Sequence, residues 1–259
     1  TQYDLLDLPG TYSITPETID EQIVSEQILT WIHKPELRPN AIISVIDASS
    51  LSRNLFLTSQ IAELGIPLII ALNMIDKVQE KKKDINIDSL KKLFNAVAVV
   101  PMSATKKLGV TALKDEICSS INTPQLQDVI RMDIPPEIED QILPITSLLC
   151  SYFNFSKNIA TSISFRLITR DSALVSYKNL GLLTEPQLIE LKNTIIECRD
   201  ILNKNGHASN SIESILRYTW LDAKLDEQLI LTTVDIKSKS KSESADEIIT
   251  HPILGPMIF

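Results

Sequence analysis

At 259 residues, 44% of them hydrophobic and 22% charged, the chain is long enough for one large or two ordinary globular domains with substantial cores. Its 25 Lys and Arg against 33 Asp and Glu leave a formal charge of −8, which argues against wrapping nucleic acid or adhering to anionic lipid through charge. Cys118, Cys150 and Cys198 are odd in number and show no CxxC spacing, so they indicate neither a disulfide scaffold nor a zinc site and point to a reducing, cytosolic compartment.

In chain order, the first half alternates strand and helix signals. A strand is expected near residues 3–7, a helix from about Glu17 to Trp31 with Pro16 at its start, and a strand from Ala41 to Asp47. A helix then runs from Arg53 to Leu64, ended by Gly65-Ile66-Pro67, and a strand covers Pro67 to Leu72. Another helix is expected near Ile87 to Phe94, a strand over Ala96 to Met102, and a closing helix from Thr111 to Ile121. This βα order predicts a parallel sheet covered on both faces. From Pro124 to about Leu221 the apolar positions recur at helical spacing, as in Ile138, Ile142, Ile145, Leu148 and Leu149, or Leu188, Leu191, Ile195 and Ile196, which predicts a small all-α domain. Lys237 to Ser244, KSKSKSES, reads as a flexible polar linker, and no apolar run approaches the roughly 18 residues of a membrane-spanning helix.

Three short segments carry chemistry: Asp7-Leu8-Pro9-Gly10, Asn73-Met74-Ile75-Asp76 and Ser103-Ala104-Thr105. Each ends an apolar run, so all three are expected at the carboxyl edge of the sheet, where ligands of open α/β folds bind. Their order matches the DxxG, NxxD and SA loops of a GTP-binding domain with a P-loop-NTPase-like, Ras-like sheet. Asp7 is the candidate Mg²⁺ ligand, direct or through water, and Leu8, Pro9 and Gly10 form the candidate γ-phosphate sensor. The planar Asp76 carboxylate suits the adjacent N1–H and NH₂ donors of guanine, a pair that adenine lacks. Asn73 and Met74 would hold the base loop, with Ser103 and the backbone N–H near Ala104 facing guanine O6. Alone, each motif reads more strongly as a turn, a helix cap or a commonplace tripeptide than as a nucleotide loop; order, strand context and spacing together reverse that. No GxxxxGK[ST] sequence is present to cradle phosphates, so the expectation is an N-terminally truncated or split G domain that binds GTP weakly or not at all.

Around these motifs, DLPGTYS, Asp20-Glu21 and VIDASSLSRNLFLTSQIAELGIPLIIALNMID resemble the G domain of bacterial ferrous-iron transporter B proteins, the FeoB-type GTPases. Met74 stands where most NKxD loops have Lys, and His251 to Phe259, HPILGPMIF, is similar to that family's entry into its first membrane helix. The resemblance implies a G domain over residues 1–122, a helical domain resembling a guanine-nucleotide dissociation inhibitor over 123–222, a linker over 223–250 and a membrane-entry segment over 251–259. It also implies GTP or GDP and Mg²⁺ as ligands and slow GTP hydrolysis coupled to Fe(II) uptake. The parent would sit at the cytoplasmic face of the bacterial inner membrane, with its transmembrane region outside this chain, no nucleic-acid partner, and a homo-oligomer formed through the parent.

Other residues read plainly. Thr11 occupies the place of the water-orienting glutamine of many GTPases, and Thr11 to Asp20 forms the natural switch segment after the phosphate sensor. His33, His207 and His251 share no ligand spacing, Tyr218 and Trp220 read as packing, and Lys81-Lys82-Lys83 as a solvated loop. The alternative functional class is a non-transport GTPase of ribosome or RNA maturation, which an acidic chain does not favour; a degenerate remnant that merely folds is the third.

Overall fold

The computed structural model describes residues 4–81, 83–122, 131–227 and 231–233. In chain order the elements are α1 (Ile19–His33), β1 (Ile42–Asp47), α2 (Leu51–Ala62), β2 (Leu68–Asn73), α3 (Ile75–Glu80), β3 (Lys83–Ile85), α4 (Ile87–Leu93), β4 (Ala98–Pro101) and α5 (Val110–Asn122). Next come α6 (Pro136–Phe153), α7 (Lys157–Thr169), α8 (Asp171–Asn179), α9 (Glu185–Lys204), α10 (Ile212–Glu227) and β5 (Leu231–Thr233).

Strands β1, β2 and β4 form a parallel sheet in the order β1-β2-β4. Its centre is β2, an unbroken apolar run, as a strand covered on both faces must be. Leu68, Ile70 and Leu72 point into the main core, whereas Ile69 joins Ala98 and Val100 under Leu113 and Ile117 of α5. That period of two distributes one strand between two layers of helices. The register pairs Asp47 with Asn73 and Leu72 with Pro101, which brings the carboxyl ends of all three strands to one edge.

The second half is helical. Helix α7 is its axis, buried from Ala160 to Thr169, with α6, α8, α9 and α10 packed around it. Helix α1 docks on α8 and α2 on α10, so a single hydrophobic cluster continues from the sheet into the helices. Local chemistry sets the starts: α1 opens with a capping box in which Thr18 Oγ1 accepts the Glu21 N–H and Glu21 Oε2 accepts the Thr18 N–H, at 3.2 and 3.1 Å.

Three sequence expectations need correction. The described part of the expected strand near residues 3–7 is coil, with Leu5 and Leu6 exposed by 84% and 61%. An extended run becomes a strand only when a neighbour completes its ladder, and among the described residues nothing pairs with this one. Helix α10 continues to Glu227, past the expected boundary at 222. Leu231–Thr233, inside the stretch expected to be linker, pairs antiparallel with Lys83–Ile85, so Lys83 belongs to a strand and not to a solvated loop. The KSKSKSES and HPILGPMIF segments lie outside the described residues, and among those that are described no helix is long and apolar enough to cross a membrane.

Candidate functional site

The carboxyl edge of the sheet gathers the NMID and SAT loops. Met74, at the end of β2, adopts the left-handed conformation (φ 59°, ψ 29°) that turns the chain sharply into α3. This arrangement costs a non-glycine residue about 1 kcal/mol or more. It is braced by the Ile75 N–H, which donates to the Met102 carbonyl at 3.1 Å beyond the end of β4. Asn73 Oδ1 accepts the Ala104 N–H at 3.0 Å, tying the two loops directly. This bond occupies the Ala104 donor, which the motif alone assigns to a base oxygen.

The SAT loop is closed on itself. Ser103 and Leu108 exchange two backbone hydrogen bonds, at 3.1 and 3.0 Å, and Lys107 and Gly109 both have positive φ. A Cβ on Gly109 would stand 2.4 Å from the Pro101 carbonyl oxygen, so only glycine lets the loop return this close to β4.

Asp76 projects from the first turn of α3, with its side chain 17% exposed. The Lys106 ammonium, 2.9 Å from Oδ2, holds the Asp76 carboxyl below the usual carboxylate range, with Ser103 adding to the effect. Asp76 is therefore ionised at neutral pH and can present acceptor oxygens to an N–H pair. Lys106 also reaches Glu80 at 3.4 Å. Its part in the site is invisible in the sequence, because nothing local says that a loop lysine folds back onto α3.

Asp7, Leu8, Pro9 and Gly10 lie on the amino-terminal coil. Leu8 packs on the main core, Asp7 is exposed, and a Cβ at Gly10 would meet open space. No cluster of three His, Cys, Asp or Glu side chains able to hold a metal exists among the described residues. The structure thus joins Asn73, Met74, Asp76, Ser103 and Ala104 at one edge, while the four DLPG residues stand on a separate segment.

The segment immediately after DLPG is anchored firmly. Gln60 Oε1, on α2, accepts the Ile14 N–H at 2.9 Å and the Ser13 hydroxyl at 3.3 Å. Gln60 Nε2 donates to Glu213 Oε1 on α10 at 2.7 Å, and the Thr15 hydroxyl donates to Glu213 Oε2 at 3.3 Å. Arg217, one turn further along α10, bridges Glu213 and Glu63. All of these side chains but Ser13 are buried. A fixed polar path therefore runs from the DLPG end of the chain to the last helix, through residues whose sequence spacing gives no warning of it.

Comparison with known proteins adds the decisive observation. The family described as Ferrous iron transport protein B matches residues 1–117. The Fe(2+) transporters FeoB of Salmonella typhimurium and of Escherichia coli K12 are each 43% identical over 117 residues, 44% of this chain but only 14% of their own length. The first 117 residues thus match the FeoB family. The chain's architecture also agrees with FeoB cytosolic structures. That of L. pneumophila covers 87% of this chain and 79% of its own at 26% identity and a TM-score of 0.65. A point mutant of S. thermophilus NFeoB bound to GDP covers 87% and 80% at 28% identity and 0.66, and the mGMPPNP-bound NFeoB of that organism covers 89% and 80% at 27% and 0.64. These alignments extend through the helical half, so the FeoB-like fold is a P-loop-NTPase-like sheet followed by helices.

Proposed function

We propose that this chain is the guanine-nucleotide-responsive cytosolic part of a ferrous-iron transporter, acting at the cytoplasmic face of a bacterial inner membrane. The observation that carries this reading is the junction of the NMID and SAT loops at the sheet edge, with Asn73 Oδ1 on the Ala104 N–H and an ionised Asp76 beside them. Asp76 would accept the guanine N1–H and NH₂ after the exposed Lys106 swings off Oδ2, a weak, solvent-screened ion pair. Residues 1–122 would form the nucleotide-responsive unit and the helices after them its regulator.

These 259 residues contain no GxxxxGK[ST] sequence, and taken by themselves they would hold nucleotide weakly, through the base edge. Mg²⁺ would reach Asp7 only together with phosphate oxygens from the nucleotide. In the assembled transporter, Thr11–Asp20 would respond to the γ-phosphate. Gln60, Glu213 and Arg217 would pass that response to α10 and onward to the iron pathway. Solved relatives bound to GDP and mGMPPNP support the ligand class.

Isothermal titration with GDP, GTP and ATP tests the reading, first on the chain alone and then with a P-loop segment from a relative fused ahead of Thr1. The expected result is a guanine preference that emerges with the P-loop and falls at least about tenfold in Asp76→Asn, since one charge-assisted hydrogen bond is worth about 1.5–3 kcal/mol. Equal affinity for ATP and GTP in the fused protein overturns it.

A further inference from the structure

A cavity of about 490 Å³ lies on the helical half, between α8 and α9 and over α7. That volume falls within the range of about 300–1,000 Å³ of small-molecule sites. Its interior is apolar, with Leu167 from α7, Leu174 from α8, and Leu188 and Ile195 from α9. Val175, Ile189 and Ile196 stand at its mouth, exposed by 45%, 58% and 46%, a concentration of aliphatic surface with no covering element among the described residues.

The polar groups are unevenly committed. Arg199 is fully engaged: Nη1 is 2.5 Å from Asp171 Oδ1, while Nε and Nη2 donate to the Ile168 and Leu167 carbonyls at 2.7 and 2.8 Å. This cluster marks one end of the cavity. Lys178 on α8 and Lys192 on α9 stand on opposite walls, and neither is ion-paired among the described residues. Glu185 lines the cavity too, in the first turn of α9, where the helix dipole favours a carboxylate. Setting aside the Arg199–Asp171 pair, two cations face one anion.

The lining residues of α9 run from Glu185 to Arg199, about 21 Å of helix at 1.5 Å per residue, an elongated apolar run that suits an extended hydrocarbon tail, while the two lysines against one carboxylate suit an anionic head. We propose that this cavity binds a single-chain fatty carboxylate, its tail among Leu174, Leu188 and Ile195 and its head between Lys178 and Lys192. The site is independent of the nucleotide edge, and its test needs no nucleotide.

The experiment titrates the chain with dodecanoate below its micellar concentration and follows the methyl signals of Leu174, Val175 and Ile189 by NMR. Dodecyltrimethylammonium, which has the same tail and the opposite head, and an acidic amphipathic helical peptide are run in parallel. The expected result is saturable one-to-one binding of dodecanoate, weakened at least tenfold in Lys178→Gln/Lys192→Gln. In Val175→Trp, which fills the mouth, binding is lost with the melting temperature unchanged. Absence of saturation, equal binding of the cationic amphiphile, indifference to the double lysine change, or tighter binding of the peptide overturns the proposal.

Discussion

Replacing Arg217 by alanine tests whether the junction between the sheet and the helical half depends on its buried charges. Arg217 is 1% exposed and makes four hydrogen bonds: Nη1 to Glu63 Oε1 at 2.9 Å and Ser59 Oγ at 3.1 Å, and Nη2 to Glu63 Oε2 and Glu213 Oε1, both at 3.1 Å. Burial works against its charge, but the Glu63 and Glu213 carboxylates beside it hold its pKa above the ordinary arginine value. Alanine leaves Glu63 without its hydrogen-bonded cation and Glu213 with the neutral donors Gln60 and Thr15, and Arg166 becomes the one arginine left facing both carboxylates among the described residues. Unpairing a buried ion pair in this way costs about 3–5 kcal/mol, against a total stability of about 5–15 kcal/mol for a folded protein. At about 2–4 °C per kcal/mol for a chain of this size, the melting temperature should fall by about 6–20 °C. Urea and thermal denaturation followed by circular dichroism measure both quantities. The apolar quadruple variant Glu63→Leu/Glu213→Leu/Arg166→Met/Arg217→Met should recover most of the loss, since it removes both carboxylates and both of the buried arginines that face them. A loss under about 1 kcal/mol in the alanine variant, or a quadruple variant no more stable than the single one, refutes the reasoning.

The same geometry sets three further outcomes. Gln60→Leu releases the Ile14 amide, and hydrogen exchange at residues 13–15 should quicken by about tenfold, the equivalent of one lost hydrogen bond; unchanged protection there would show that Gln60 is not the tether. Burial lowers His33 to about pKa 4, in a nest formed by Phe153, Phe155 and Tyr177. The unfolded chain therefore binds the proton first, and His33 supports folding fully above about pH 6.5, with that support lost as pH falls toward 4. His33→Phe should flatten this part of the pH–stability curve relative to wild type, leaving the contributions of Asp76 and Glu139, which act in the same direction, in place. Gly109→Ala places a methyl group 2.4 Å from the Pro101 oxygen at φ +76°, and should cost about 1–3 kcal/mol and shift the Ala104 amide resonance. An unmoved Ala104 signal would mean that the loop does not depend on that close approach.

The interior strands are legible because a parallel strand buried on both faces has to be written as a continuous apolar run: the pattern marks Pro67 to Leu72, and the strand spans Leu68–Asn73. Helices announce themselves through their caps and period, with α4 expected from Ile87 to Phe94 and observed over Ile87–Leu93. The amino-terminal run misleads because its apolar residues announce an extended segment, while the neighbour that would complete it is not a local property. Strands β3 and β5 are three residues each and lie far apart in sequence, so neither carries a pattern of its own. Asn73, Asp76 and Ser103 can be named from motif order, but the Lys106 contact with Asp76 depends on how two loops fold against each other. Glu213 and Arg217 sit four residues apart on α10, a spacing shared by ordinary surface pairs; their burial follows from the packing of α10 against α2 and α7.

Strand β1 has one further consequence. Among the described residues it pairs only with β2, and Val45 on it is 65% exposed. Its outer flank is thus a row of main-chain donors and acceptors able to accept an extended segment from elsewhere, whatever that segment's side chains. Because such capture reads backbone and not sequence, a second molecule at high concentration competes for this flank with any legitimate extension of the sheet. Dilution should therefore favour the monodisperse protein over chains stitched edge to edge.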